Sequence, residues 1–120
     1  MEWSMEFLAE KDLLVVRSDG TYDPNGANPL VQEVGRKCLQ HNPHAILFDR
    51  RESPLAFDTL SIYERPLLLE QAGINRRHKI AIAVGDITPD ERFLETVCRN
   101  SGYEVMVFDD FEAARRWTEA

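Results

Sequence analysis

Apolar residues along the chain fall into two rhythms, short unbroken runs and three- or four-residue steps, and the two alternate from one end to the other. Glu6-Phe7-Leu8-Ala9-Glu10 and Leu13-Leu14-Val15-Val16-Arg17 are runs separated only by Lys11-Asp12, which predicts two antiparallel strands joined by a tight turn. Ser18 to Gly26 gathers nearly every turn-forming residue type and reads as an exposed loop. Asn28 is placed to cap a helix and Pro29 to take its first position, where a missing N–H costs nothing. Leu30, Val31, Val34, Cys38 and Leu39 then recur at helical steps as a core-facing stripe, until Asn42-Pro43 stops them.

Ala45-Ile46-Leu47-Phe48 predicts a strand buried on both faces that delivers Asp49-Arg50-Arg51-Glu52 at its carboxyl end. From Thr59 to Gly73 the chain is helical in composition, with Ile62, Tyr63, Leu67, Leu68 and Leu69 as its apolar set. Pro66 inside this stretch must kink the helix or begin a second one. Lys79-Ile80-Ala81-Ile82-Ala83-Val84 reads as a central strand, with branched residues on one face and small alanines on the other that let a helix approach closely. Thr88-Pro89-Asp90-Glu91 is a capping box, with Glu91 set to reach back to the cap's N–H, and Phe93, Leu94, Val97, Cys98 and Ser101 give the inner face of the helix it starts. Glu104 to Phe108 is the last strand, and Asp109-Asp110-Phe111-Glu112 opens a short final helix with a stripe of Phe111, Ala114 and Trp117.

The order is therefore β-β-α-β-α-β-α-β-α, an α/β domain spanning residues 1–120 whose sheet is mostly parallel, with an N-terminal antiparallel hairpin. The later strands are continuous apolar runs, so both sheet faces must be covered. If the helices cover one face only, a second subunit must cover the other, and a homodimer is the expectation on that condition.

Composition removes several function classes. With 14 basic and 21 acidic side chains the net charge is −7, which repels phosphate backbones and argues against a nucleic-acid partner. No apolar run approaches the roughly 20 residues that span a bilayer. The first residues carry neither the basic region nor the apolar stretch of a signal peptide, which makes the cytoplasm the expected location. Cys38 and Cys98 both fall inside helical patterns and read as buried thiols rather than a redox pair or zinc ligands.

Three stretches together carry a family resemblance: Lys79-Ile80-Ala81-Ile82-Ala83-Val84, Glu91-Arg92-Phe93-Leu94-Glu95-Thr96, and Val105-Met106-Val107-Phe108-Asp109-Asp110-Phe111-Glu112-Ala113-Ala114-Arg115-Arg116-Trp117. With the element order they resemble the STAS or SpoIIAA-like family, the fold of bacterial anti-sigma-factor antagonists. The resemblance implies a regulatory module that works by binding a protein. In those antagonists a phosphorylatable serine follows the third strand in an Asp-Ser-Ser/Thr-Gly-like turn. Here the matching stretch is Phe48-Asp49-Arg50-Arg51-Glu52-Ser53-Pro54, which keeps the Asp and replaces the hydroxyl-Gly turn with two arginines, so no phosphosite is carried over.

Candidate chemistry concentrates after the strands, where open parallel sheets bind ligands. Asp49, Arg50, Asp86 and Arg92 are the candidate ligand-binding set, with Arg51, Asp109 and Asp110 beside them. Against this, Asp109 or Asp110 caps a helix, Asp86 sits in a turn, and Arg50 and Arg51, adjacent on an extended segment, point to opposite sides. A phosphoacceptor receiver domain is disfavoured, because the acidic pair follows the last strand and no Lys occurs beyond Lys79. Gly85-Asp86-Ile87-Thr88 precedes a helix, but neither a dinucleotide fingerprint nor a P-loop occurs, so no cofactor is expected. His41, His44 and His78 lack metal-ligand spacing, and His41 and His44 flank Pro43 at a helix end, where a cation suits the dipole. Ser53, Thr59 and Ser61 read as helix-start hydroxyls, and Trp3, Phe7, Tyr63 and Trp117 as core or half-buried packing. The sequence thus favours a non-enzymatic protein-interaction module over its alternative, a small-ligand binder or enzyme at the strand ends, because no matched acid–base or nucleophile set is present.

Overall fold

The computed structural model describes residues 1–120 and contains five strands and four α-helices in the expected order. β1 (Glu2–Leu8) pairs antiparallel with β2 (Leu13–Asp19), Leu8 opposite Leu13 and Glu2 opposite Asp19. The turn between them is longer than the two residues expected: Ala9–Lys11 form one 3₁₀ turn and Asp12 takes the left-handed conformation at φ 51°. β1 consequently gives up Ala9 and Glu10 and recruits Glu2 to Met5 instead.

The first helix, α1 (Pro24–His41), begins a full turn before the expected site. Asp23 caps it, accepting from Gly26 N at 2.9 Å, and Pro24 fills the first helical position. Asn28 is released from capping and accepts from Arg65 instead. Leu30, Val31, Val34 and Cys38 face the core as expected, but Leu39 is 77% exposed. Asn42 ends the helix in the left-handed conformation.

β3 (Ala45–Glu52) runs four residues past its apolar stretch. α2 (Thr59–Ala72) continues unbroken through Pro66 and ends at Gly73, whose φ of 104° suits glycine. β4 (Lys79–Val84) is buried throughout, α3 (Pro89–Asn100) starts from the Thr88 cap, and β5 (Glu104–Phe108) leads into α4 (Phe111–Glu119), capped by Asp110. No helix is long and apolar enough to cross a membrane.

The sheet order is β1-β2-β3-β4-β5, with every pair after the first parallel. Strands added in sequence through right-handed crossovers place every connecting helix on the same face. Accordingly Leu14, Val16, Ile46, Phe48, Ile80, Ile82, Val105 and Val107 pack with α1, α2 and α3 in one large core. The opposite face carries Leu13, Val15, Ala45, Leu47, Ala81 and Ala83, and α4 lies on it through Ala114, Phe111 and Trp117. The alanines of β4 do permit this approach. Lys79 fixes the end of α4, donating to Trp117 O at 2.6 Å with its ammonium 4.4 Å from the Trp117 ring centre. Both apolar faces are thus covered within one chain, which removes the condition on which the sequence called for a second subunit.

The β5 edge is closed by α3, where Glu95 accepts from Val107 N and Arg99 donates to Val105 O, each at 2.6 Å. Gly35 of α1 meets the last turn of α2 so closely that a β-carbon there would lie 1.9 Å from Ala72 O. Gly35→Ala is expected to destabilise the protein by about 2–3 kcal/mol, because the backbone of α2 must move aside. Urea denaturation measures this, and a loss below about 0.5 kcal/mol would contradict the close crossing.

Candidate functional site

The extension of β3 decides where the candidate residues go. Because Asp49 and Arg50 lie inside the strand, they project to opposite faces of the sheet. Arg50 turns into the large core and is 3% exposed. Its Nη1 donates to Glu91 Oε1 at 3.0 Å and its Nη2 to Glu91 Oε2 at 2.8 Å, a bidentate pair sealed from water, with Glu91 2% exposed. Glu91 therefore does not reach back to its helix cap. Thr88 still accepts from Glu91 N at 3.2 Å, but the carboxylate swings inward to the guanidinium.

Arg50 also opens a stack that spans two loops. Its guanidinium lies 4.3 Å from the Tyr22 ring centre, Tyr22 stacks on Phe57 at 5.9 Å and 19°, and Arg65 lies 4.6 Å over Phe57. Tyr22 N donates to Pro54 O and Ala56 N to Tyr22 O, each at 2.9 Å, so the two loops run as a short ladder beside the stack. Arg65, Tyr22 and Phe57 were not singled out from the sequence. One signal was available: Arg65 falls between Ile62 and Leu69 on the buried side of α2, at a position where the helical step calls for an apolar residue.

On the other face Asp49 is held by Arg51, whose Nε and Nη2 each donate to it at 2.8 Å, with Arg17 Nε 3.7 Å away. Arg50 and Arg51 do point apart, Arg51 lying 4.2 Å over the Phe111 ring. The hydrogen bonds from Arg51 hold the Asp49 carboxyl below its ordinary value against the opposing effect of burial. Asp49 lines an open cleft of about 510 Å³ with Trp3, Arg17, Asp19 and Arg51. Asp86 lies in an exposed turn and lines a different cleft of about 400 Å³, to which Arg50 and Glu91 also contribute. Arg92 is exposed and pairs with Glu95 at 3.0 Å. The structure thus brings Arg50 and Asp86 to one cleft and places Asp49 and Arg92 elsewhere.

The hydroxyls are also redistributed. Ser53 is completely buried and donates to Gly20 O. Ser53 and Pro54 directly follow β3, and the loop from Ser53 to Phe57 leads to Asp58-Thr59-Leu60-Ser61, which open α2. Asp58 is the cap, accepting from Ser61 N at 2.8 Å, and Thr59 stands exposed at the first helical position. Burial pushes the thiols of Cys38 and Cys98 up to about 12, so both are inert packing.

Outside the core, α2 departs from the expected packing. Leu60, Tyr63 and Leu67 are 65%, 60% and 55% exposed, a stripe at three- and four-residue spacing on its outer side. Tyr63, expected to be packed, only meets Phe93 edge-on at 5.2 Å, and Trp3 is likewise exposed, whereas Phe7 is half-buried and stacks on His41 at 4.3 Å.

Two measurements test this geometry. Glu91→Leu or Arg50→Met alone should cost about 3–5 kcal/mol, since each strands a buried charge, while the double variant should recover most of the loss. Single losses below about 1 kcal/mol would show that the pair is solvated. Asp49 has a lowered folded-state pKa, so its contribution is fully present above the ordinary aspartate value of 3.8 and is lost as pH falls through the folded value. Asp49→Asn should therefore flatten the acid limb of the stability curve below about pH 4.

No family model and no curated protein matches the chain. Solved structures do match over nearly its whole length. An anti-sigma factor antagonist from Mycobacterium paratuberculosis superposes with a TM-score of 0.66 at 12% identity, covering 99% of this chain and 96% of that one. The anti-sigma factor antagonist SpoIIAA in its unphosphorylated form gives 0.56 at 17% identity, over 99% of this chain and 100% of the other. The phosphorylated form of SpoIIAA, a Bacillus cell fate determinant, gives 0.50 at 17% identity over 97% and 99%. The chain has the STAS/SpoIIAA-like fold.

Proposed function

We propose that this protein is a non-enzymatic regulatory module that binds a protein partner through the outer side of α2. The observation that carries the reading is the exposed stripe of Leu60, Tyr63 and Leu67 on a helix whose opposite side is committed to the core. Covering what remains exposed would contribute about 1–2 kcal/mol per side chain, enough to anchor a partner with a complementary apolar groove. The likeness to anti-sigma factor antagonists supports a partner of the anti-sigma-factor type. It also draws attention to Thr59, an exposed hydroxyl directly after an Asp cap and beside Leu60. A phosphate on Thr59 would sit favourably at the helix N-terminus while placing charge at the edge of the apolar stripe, which would weaken docking. The reading of a small-ligand binder at the strand ends has less support, because the terminal nitrogens of Arg50 are held by Glu91 and Ser53 O, and Arg92 pairs with Glu95.

Affinity capture from the source organism, quantified for wild type and for Leu60→Asp/Leu67→Asp, tests the surface. Substitutions at exposed positions should leave thermal stability nearly unchanged. The purified captured protein is expected to bind the double variant at least 10-fold more weakly, and Thr59→Glu more weakly than Thr59→Ala. A partner that binds wild type and double variant equally would remove α2 as the docking surface.

A further inference from the structure

Trp3 is 41% exposed on β1, a strand that pairs with β2 on one side and has no partner on the other. Trp3 stands opposite Ser18, Met5 opposite Val16 and Phe7 opposite Leu14, which places all three on the helical face, where Met5 and Phe7 pack against the large core. Glu2, Ser4 and Glu6 take the other face. A second copy added to this edge about a two-fold axis normal to the sheet keeps helical face with helical face, so odd residues meet odd and even meet even. Centred on Met5, all seven residues of β1 pair. Trp3 then lies opposite the partner subunit's Phe7, an aromatic cross-strand pair made twice, and Ser4 lies opposite the partner subunit's Glu6. Moving the centre to Ser4 or to Glu6 shortens the pairing and sets Glu2, or Glu6 itself, directly against the partner subunit's Glu6. Arg17 pairs with Ser4 in β1 and so falls in one row with Ser4 and the partner subunit's Glu6, two strand spacings or about 10 Å away. The small Ser4 lets the exposed arginine reach over it, and Asp49, 3.7 Å from Arg17, is already held by Arg51.

We propose that β1 is a self-association edge, through which two copies of this chain join antiparallel about Met5 into one continuous sheet. Glu2 and Glu6 set the register, since they oppose the shifted alignments and meet only Leu8 and Ser4 of the second copy in this one. Each copy carries a net charge of −7 and the interface is one strand wide, so the dimer is weak and forms in the micromolar range. It rests on the sheet edge rather than on an uncovered sheet face, because α4 already covers the face opposite the other helices. The docking reading is independent of it: α2 packs between α1 and α3, away from β1, and its outer stripe stays free in the dimer.

Sedimentation velocity of the full chain from about 5 to about 200 µM, in about 0.15 M salt to screen the net charge, tests the edge. Wild type is expected to pass from monomer to dimer over that range. Ser4→Glu sets a glutamate against the partner subunit's Glu6 twice in each dimer and should weaken association about 10-fold. Adding Glu6→Lys makes both contacts attractive and should return association to the wild-type level or tighter. Both positions are exposed, so melting temperatures should change little, and a loss that the second substitution reverses is not a folding effect. Wild type that stays monomeric at the highest concentration, a dimer that Ser4→Glu leaves intact, or a loss that Glu6→Lys does not reverse would each overturn the proposal.

Discussion

The end of β3 inside the core is organised by one requirement, that the charge of Arg50 be compensated where water cannot reach it. The strand alternation that buries Ile46 and Phe48 on the helical face also sends Arg50 there, so the guanidinium arrives as a consequence of register. Its compensation comes from Glu91 in the first turn of α3, 41 residues away, which fixes the rotation of that helix about its axis. The ring of Tyr22 and the carbonyl of Ser53 also contact the guanidinium, and both belong to the loops that run beside β3. One buried pair therefore positions a strand end, a helix start and two loops. Buried pairs of this kind add little net stability over an apolar equivalent, but the loss of either member leaves an uncompensated charge.

The remaining architecture follows from handedness. Consecutive strand order commits α1, α2 and α3 to one face, and the other face must find its own cover. The nine residues of α4 suffice because Ala45, Ala81 and Ala83 make that face shallow and because β1 is polar there, with Glu2, Ser4 and Glu6 toward solvent. The outer side of α2 is left as the most apolar exposed helix surface, and the two sheet edges differ. α3 closes the β5 edge with Glu95 and Arg99, whereas β1 relies on its glutamates to discourage pairing out of register.

Element order, the parallel sheet and most helix ends were legible in the sequence, because each rests on local chemistry. Branched runs made the strands, Thr88-Pro89 and Asp110 made helix starts, and Asn42 and Gly73 made helix ends. The misread boundaries arose where two local solutions competed. Asp23-Pro24 and Asn28-Pro29 carry the same cap-and-proline signal, and the earlier one prevails because Arg65, a distant residue, engages Asn28. Glu91 illustrates the same limit: a capping box is visible from four residues, but the competing partner lies on another strand. The candidate site assembled only in part, with Arg50 and Asp86 at one cleft and Asp49 at another, for a simpler reason. The strand outlasted its apolar run, so Asp49 and Arg50 fell on opposite faces, and only a paired register shows how far a strand extends past its hydrophobic segment.

α2 inverts the arrangement that folding alone would select. Its inner side carries a charge at Arg65 and its outer side carries Leu60, Tyr63 and Leu67. An amphipathic surface helix ordinarily does the reverse, since exposed leucines forgo burial and a buried guanidinium forfeits hydration. Exchanging the two, with an apolar residue at 65 and polar ones outside, would remove the exposed apolar stripe at the cost of the Arg65 contacts with Asn28 and the Phe57 ring. Both departures occur on one helix, on opposite sides, and the exposed stripe is required by neither the sheet, the turns nor the Arg50–Glu91 pair. Inside, Arg65 is held by Asn28 and the Phe57 ring, whereas the outer stripe has no contact within the chain comparable to core packing. Of the helices, α2 is thus the one whose composition departs furthest from the ordinary amphipathic pattern.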